Sequence, residues 1–252
     1  NERSLLWRAF LAGYGVTDMA SVVFRDRFGC WGFLDLWRIG GTRPQFTEAD
    51  TEFLTRVARP ITHALRSAQA RTFQIPTLAP DRTGPVVLVL SPDLQVRAQT
   101  AETEQYLRVL VPVDAERRPI PAVAYNVGAQ LLAVEEGVDQ HPPSARVHLA
   151  GGIWLTVRAA RMGETVPTEQ RDIAVTIESA SPEERTRFFV RACGLSRREA
   201  ELLGHLATGS DTRRIAELMF VSAHTVQDHL KSIFVKTGAR NRRTLLARAL
   251  GR

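Results

Sequence analysis

The sequence predicts a multi-domain α+β chain in which two mixed helix-and-strand modules precede an all-α four-helix tail. Three observations carry this expectation. At 252 residues with 44% apolar content, the chain is long enough for two or three compact domains. Residues 1–71 and 85–180 mix strand-like and helix-like periods, whereas after residue 181 every segment reads as helix or turn. The net charge of +6 is also uneven: residues 194–252 hold 11 of the 33 basic and 5 of the 27 acidic side chains, so residues 1–193 balance. Positive charge gathered in one module is the distribution expected when that module meets a polyanion.

The first segment reads as helix, strand, turn, strand, helix. Leu5, Leu6, Phe10 and Leu11 in RSLLWRAFL have helical spacing, and Gly13 stops the run. SVVFRD and WGFLDLWR are two β-rich runs separated by Arg27, Phe28 and Gly29, a hairpin pattern. The stretch from Phe46 to Arg71 then places Phe53, Leu54, Val57, Ile61 and Leu65 on one helical face, with Thr47 as N-cap, Asp50 three residues on, and Pro60 expected to kink or end its first half. VVFRDRFGCWGFLDLWR followed by FTEAD and this long helix resembles the C-terminal half of a GAF domain. A whole domain of that kind is about twice as long, which implies that its ligand cup lacks a wall in residues 1–71.

Residues 72–84, rich in Pro, Thr and Gly, read as a linker. Residues 85–180 follow with strands PVVLVL and LQVRAQ, helices AETEQYLRVL and PAVAYNVGAQLLAVEE, and strands ARVHLA, IWLTVRAARM and DIAVTIESA. Two strands, helices, then three strands predict an antiparallel sheet in an α+β layout. In order and size this segment resembles a PAS domain. His141 and His148 are its only histidines, His148 can face either side of its strand, and residues 85–180 contain no cysteine for a photoactive flavin. No cofactor is expected, because a lone histidine is usually structural or solvent-facing. Residues 181–193 form a connecting helix, with Ser181 as N-cap, Pro182 first in the helix, Glu184 completing a capping box, and Phe188, Phe189 and Cys193 as a packing stripe.

The tail, residues 194–252, begins with a second capping box at Ser196 and Glu199, with Leu202, Leu203 and Leu206 as apolar stripe and Gly209 as stop. Asp211 caps a short helix holding Ile215, Ala216, Leu218 and Met219, and Ser222 caps a third helix with Thr225 three residues on. Two short helices, a tight turn and a third helix form the helix-turn-helix pattern. Stepping 100° per residue puts Val226, Leu230, Ile233 and Phe234 on a buried arc and His224, Gln227, Asp228, Lys231 and Val235 on the opposite one. The only two lysines of the chain, Lys231 and Lys236, both lie on this helix.

LSRREAELL, VSAHTVQDHLKSIFVKTGARNRR and TLLARAL resemble the LuxR-type (NarL/FixJ-like) DNA-binding domain, whose T-V-x-x-H-x-x-x-I-x-x-K-x-G pattern is matched at Thr225, Val226, His229, Ile233, Lys236 and Gly238. The resemblance implies transcription regulation, with the third helix in the major groove and the last helix available for homodimer contacts. It implies base reading by Gln227, Asp228 and Lys231, and phosphate contacts from Thr212, Arg213, Ser222, Thr225, Lys236, Arg242 and Arg243. Arg214 departs from the pattern, standing where the family commonly has an acid that boxes the second helix. Lysine suits guanine, glutamine suits adenine, and aspartate accepts from cytosine N4. Asp228 has a second reading as a solvated residue at the groove edge.

The longest apolar runs fall short of the roughly 18–20 residues of a membrane span, and NERSLLWRAF lacks the basic start and apolar block of a signal peptide, so a reducing cytoplasm is expected. Cys30 and Cys193 are too few and too distant for a disulfide framework or metal site, and both are expected as buried thiols. The start at Asn1 rather than methionine is what a piece of a longer protein would show. The leading expectation is a one-component regulator in which GAF-like and PAS-like modules, with an unidentified small-molecule effector, bias a tail that binds double-stranded DNA. The alternative is a signal-binding or interaction protein whose helix-turn-helix docks a partner such as RNA polymerase and binds DNA weakly. No receiver domain, Walker loop or catalytic triad is recognisable, so an enzyme is not expected.

Overall fold

The computed structural model describes residues 11–40, 45–74, 86–103, 122–149, 153–163 and 167–251. Most of the helices expected over residues 3–11 and 101–110, and most of the linker, lie outside these residues. Two compact units emerge, one of Asn1–Arg71 with Phe188–Asn241 and the other of Thr72–Arg187 with Arg242–Arg252.

In the first unit, β1 (Val16–Asp26) and β2 (Gly29–Ile39) form an antiparallel hairpin of 11-residue strands, longer than the sequence pattern suggested. The turn shrinks to Arg27 and Phe28 because Asp26 organises it: its Oδ1 accepts from the Phe28 and Gly29 amides at 2.8 and 3.2 Å and from Trp31 Nε1 at 3.0 Å. Phe24 pairs with Gly32 and Arg25 with Cys30, so Trp31 is an inserted bulge residue that swaps the two faces of the strand. That swap places Cys30 with Arg25 rather than with buried Phe24. Cys30 is therefore exposed and Cys193 half-buried, correcting the expectation of two buried thiols.

Helix α1 (Glu48–Thr72) opens on the predicted box, with the Asp50 amide donating to Thr47 Oγ1 at 3.2 Å and the Thr47 amide to Asp50 Oδ2 at 2.8 Å. Arg38 on β2 pairs with the same carboxylate at 3.1 Å, tying strand end to helix start. Pro60 neither ends nor splits the helix, which runs through it for 25 residues. A proline removes one amide donor, and the hydrogen-bonded turns on both sides carry the helix across that gap.

The second unit is built on a five-stranded antiparallel sheet in the order β4-β3-β7-β6-β5, from β3 (Val86–Leu90), β4 (Val96–Gln99), β5 (Ser144–Leu149), β6 (Ile153–Arg161) and β7 (Ile173–Ser179). Alternation puts Leu88, Leu90, Leu155, Val157, Ile173 and Val175 on one buried face, against Ala124 and Val127 of helix α2 (Ala122–Glu135). Strand β7 is central, pairing with β3 on one side and β6 on the other.

Helix α3 (Pro182–Ala192) begins where the capping box predicts: the Ser181 amide donates to Glu184 Oε2 at 3.1 Å and the Glu184 amide to Ser181 Oγ at 3.2 Å. Glu184 also accepts from Arg158 Nη2 at 2.6 Å, fixing the helix start to β6. Burial alone would raise the Glu184 pKa, but the Ser181 amide and Arg158 hold it below its ordinary value. Because Glu184→Gln keeps the neutral cap and removes the ion pair, it should cost about 1 kcal/mol and lower the thermal midpoint by about 2–4 °C, as calorimetry would read it. An unchanged midpoint would mean that the pair contributes nothing.

Candidate nucleic-acid interface

The tail holds four helices: α4 (Arg197–Ala207), α5 (Thr212–Met219), α6 (Ala223–Thr237) and α7 (Arg242–Leu250). The predicted caps form. Ser196 Oγ accepts from the Glu199 amide, Asp211 Oδ1 from the Arg214 amide at 2.8 Å, and Ser222 Oγ from the Thr225 amide at 3.0 Å. Gly238 ends α6 at φ 64°, a left-handed conformation that costs a glycine little. At the turn between α5 and α6 the left-handed position is Phe220, with φ 55° and a side chain 94% exposed.

Both arcs of α6 face as the helical wheel predicts. Val226, Leu230 and Ile233 are buried and Phe234 half-buried, while His224, Gln227, Asp228, Lys231 and Val235 are exposed. Asp228 sits between two side chains of its own helix, 3.5 Å from His224 Nε2 and 3.5 Å from the Lys231 ammonium. Lys231 is 73% exposed, so this contact is a loose surface pair that yields readily to a better acceptor.

The expected phosphate residues are less uniform. Arg213 extends into solvent with Glu217 3.6 Å away, and Arg214 lies 3.2 Å from the same acid. Glu217 thus supplies a charge partner for Arg214, while Asp211 alone caps the helix. Ser222 and Thr225 hold each other, hydroxyl to hydroxyl, at 2.9 Å. Thr212 is the first residue of α5. Arg242 is half-buried and Arg243 exposed in the first turn of α7, in the second unit.

Lys236 is engaged elsewhere. Its Nζ lies 2.8 and 2.7 Å from Oε1 and Oε2 of Glu199, a carboxylate only 4% exposed, with Lys236 itself 37% exposed. Ser232 Oγ donates to Glu199 Oε1 at 2.6 Å and the Ser196 amide to Oε2 at 2.6 Å. Burial alone would raise the Glu199 pKa, yet the hydrogen bonds from Lys236, Ser232 and Ser196 hold it at about 2 against an ordinary 4.5. Sequence reasoning saw Glu199 only as half of a capping box. In the sequence the rarity of lysine points to a compact cation beside the groove, whereas for Lys236 the compact ammonium serves Glu199.

Among the described residues, no group of three or more His, Cys, Asp or Glu side chains is arranged to hold a metal ion. His148 packs on the Trp154 ring, centroids 5.1 Å apart, and burial followed by the charge of Arg185 lowers its pKa. No described helix is long and apolar enough to cross a membrane.

Residues 194–249 match the family described as bacterial regulatory proteins, luxR family; the chain carries a luxR-family helix-turn-helix domain there. No curated protein sequence matches the chain. Solved structures similar to it include the Vibrio cholerae VqmA–ligand–DNA complex, at 17% identity over 67% of this chain and 82% of that one, with a TM-score of 0.28. The phage VqmA–DPO complex is 17% identical over 67% and 81% of the two chains, with a TM-score of 0.30, and Escherichia coli SdiA is 14% identical over 80% and 96%, with a TM-score of 0.22. Superpositions this loose assign no ligand, partner or assembly to this chain.

The Glu199 cluster sets an acid limit on the domain. A folded pKa below the unfolded one stabilises the fold above about pH 4.5, and that contribution is lost as pH falls towards about 2. Discounted for the exposure of Lys236, it is on the order of 2 kcal/mol. Glu199→Gln should remove it, leaving a variant less stable at pH 7 whose urea midpoint changes less than the parent's between pH 5 and pH 3. Parallel pH profiles for the two proteins would assign acid sensitivity to other carboxylates.

Proposed function

We propose that this chain is a sequence-specific, DNA-binding transcription regulator of the one-component type, working as a cytoplasmic homodimer. The observation that carries the reading is the exposed polar arc of α6 within a luxR-family domain: Gln227, Asp228 and Lys231 stand together on the side of the helix opposite its core. In this reading α6 enters the major groove, Lys231 reads guanine, Gln227 adenine, and Asp228 either accepts from cytosine or stays solvated at the edge. Thr212, Arg213, Ser222, Thr225, Arg242 and Arg243 hold phosphates. Lys236 joins them with the one N–H it does not spend on Glu199, and α7 serves dimer contacts.

The upstream modules bias this tail in response to a small molecule. The five-stranded order β4-β3-β7-β6-β5, with a helix between β4 and β5, supports a PAS-like reading of residues 85–180. The β1–β2 hairpin followed by the long helix α1 supports a partial GAF-like reading of residues 1–71.

A second reading has its own observation. Phe220 and Val235 are 94% and 85% exposed on the same domain, and apolar groups so placed suit a protein surface better than a row of phosphates. In that reading the helix-turn-helix docks a transcription partner such as an RNA polymerase subunit.

Salt dependence separates the two. DNA binding predicts affinity falling with a logarithmic slope of about −0.9 per phosphate neutralised, which Arg243→Ala should make shallower by about one contact. Lys231→Ala should cost about 1–3 kcal/mol on the preferred site and narrow the gap to a scrambled duplex. Fluorescence anisotropy on DNA from the protein's own promoter region measures both. Binding absent at low salt, or indifferent to Lys231→Ala, would favour protein docking.

A further inference from the structure

Away from the helix-turn-helix, a groove of about 430 Å³ runs between β1 and α1. That volume lies within the roughly 300–1,000 Å³ of small-molecule clefts. Its chemistry is one-sided. Strand β1 contributes Arg25, and α1 contributes Arg59, His63 and Arg66 at i, i+4 and i+7, one stripe of the helix.

The one carboxylate lining this groove, Asp26, is already committed. Its Oδ1 accepts from the Phe28 and Gly29 amides and Trp31 Nε1, and its Oδ2 is ion-paired with the Arg66 guanidinium, 3.0 Å from Nε. Burial alone would raise the Asp26 pKa, but Trp31, the turn amides and Arg66 hold it below its ordinary value, so it is a fixed anion matched to a fixed cation. Arg25 and Arg59 are left with no ion-pair partner among the described residues.

We propose that this groove is a binding site for a small phosphorylated anion. Guanidinium forks from two different elements meet a phosphate from two directions, the geometry in which arginine surpasses lysine, and His63 adds a third donor. Two unpaired cations in a concavity raise the local potential, and a dianion relieves it more than water does. A duplex is the less suitable occupant, because its phosphates follow a convex surface whereas these cations line a recess. Arg66 also lines the groove, and its Nη1 reaches beside Gly194, the first residue of the luxR-family domain, where a Cβ would lie 2.6 Å from it. The site stands whether or not that domain reads DNA.

The test uses the full chain, with inorganic phosphate, pyrophosphate and glycerol 3-phosphate titrated calorimetrically at constant ionic strength in chloride. Saturable binding of at least one is expected, weakened about tenfold or more in Arg25→Ala/Arg59→Ala, less so in Arg25→Lys/Arg59→Lys, and unchanged in Arg56→Ala. A preference for glycerol 3-phosphate identifies a phosphorylated metabolite, and a preference for inorganic phosphate a free-phosphate sensor; both support the site. Absence of saturable binding, or equal binding in parent and double alanine variant with circular dichroism unchanged, overturns it. So does a result in which the double variant loses only affinity for duplex DNA, which would make the groove a nucleic-acid contact.

Discussion

The orientation of the exposed helix depends on one carboxylate. Glu199 closes the N-terminal box of α4 on Ser196 while accepting from Ser232 and Lys236 of α6, so the start of one helix and the flank of another share a single anchor. Helices of 11, 8 and 15 residues are too short to be stable alone and take their stability from packing. Leu202, Leu203, Ile215, Leu230 and Ile233 supply that packing, but an apolar interface tolerates sliding and rotation. A buried acceptor with both oxygens filled does not, since any slip that breaks a bond leaves a desolvated charge without a donor. The ammonium of Lys236 is suited to the place, being compact enough to straddle the two oxygens.

With the inner side of α6 fixed, its outer side is free to be polar. Asp228 between His224 and Lys231 keeps that arc from being uniformly cationic. A solvated 3.5 Å pair is weak, so in the proposed role Lys231 would leave it at little cost for a base offering two acceptors. The same carboxylate penalises a close approach to phosphates. In the proposed DNA-reading role, such an arc would favour specificity over tight binding.

What the sequence made legible was local. Caps at Thr47, Ser181, Ser196, Asp211 and Ser222 act within three residues, and strand alternation and helical stripes act within a turn or two, so these elements and both arcs of α6 were readable. The illegible parts depend on distant residues or on a one-residue change of register. The Trp31 bulge turned Cys30 outward, and no composition signal marks a bulge. The helix ran past Pro60 because its flanking turns outweighed one missing amide. Glu199 finds its partners 33 and 37 residues away, and the Arg191–Phe28 contact spans 163. The cations of the groove were visible only as isolated letters, since a stripe on α1 acquires meaning when Arg25 arrives from a strand.

That long contact gives the hairpin turn a place in the architecture. Arg191 Nε donates to the Phe28 carbonyl at 2.6 Å, and Trp31 lies against Phe188 with ring centroids 6.0 Å apart. Gly194 has φ 66°, which favours glycine, and a Cβ there would lie 2.6 Å from Arg66 Nη1 and 3.4 Å from the Phe28 ring. The turn is itself braced, its amides and Trp31 held by Asp26. Two residues beyond Gly194 stands Ser196, the cap that Glu199 completes. From the hairpin to the exposed helix, one braced turn, one glycine and one shared acid therefore follow one another in direct succession along the chain and its contacts.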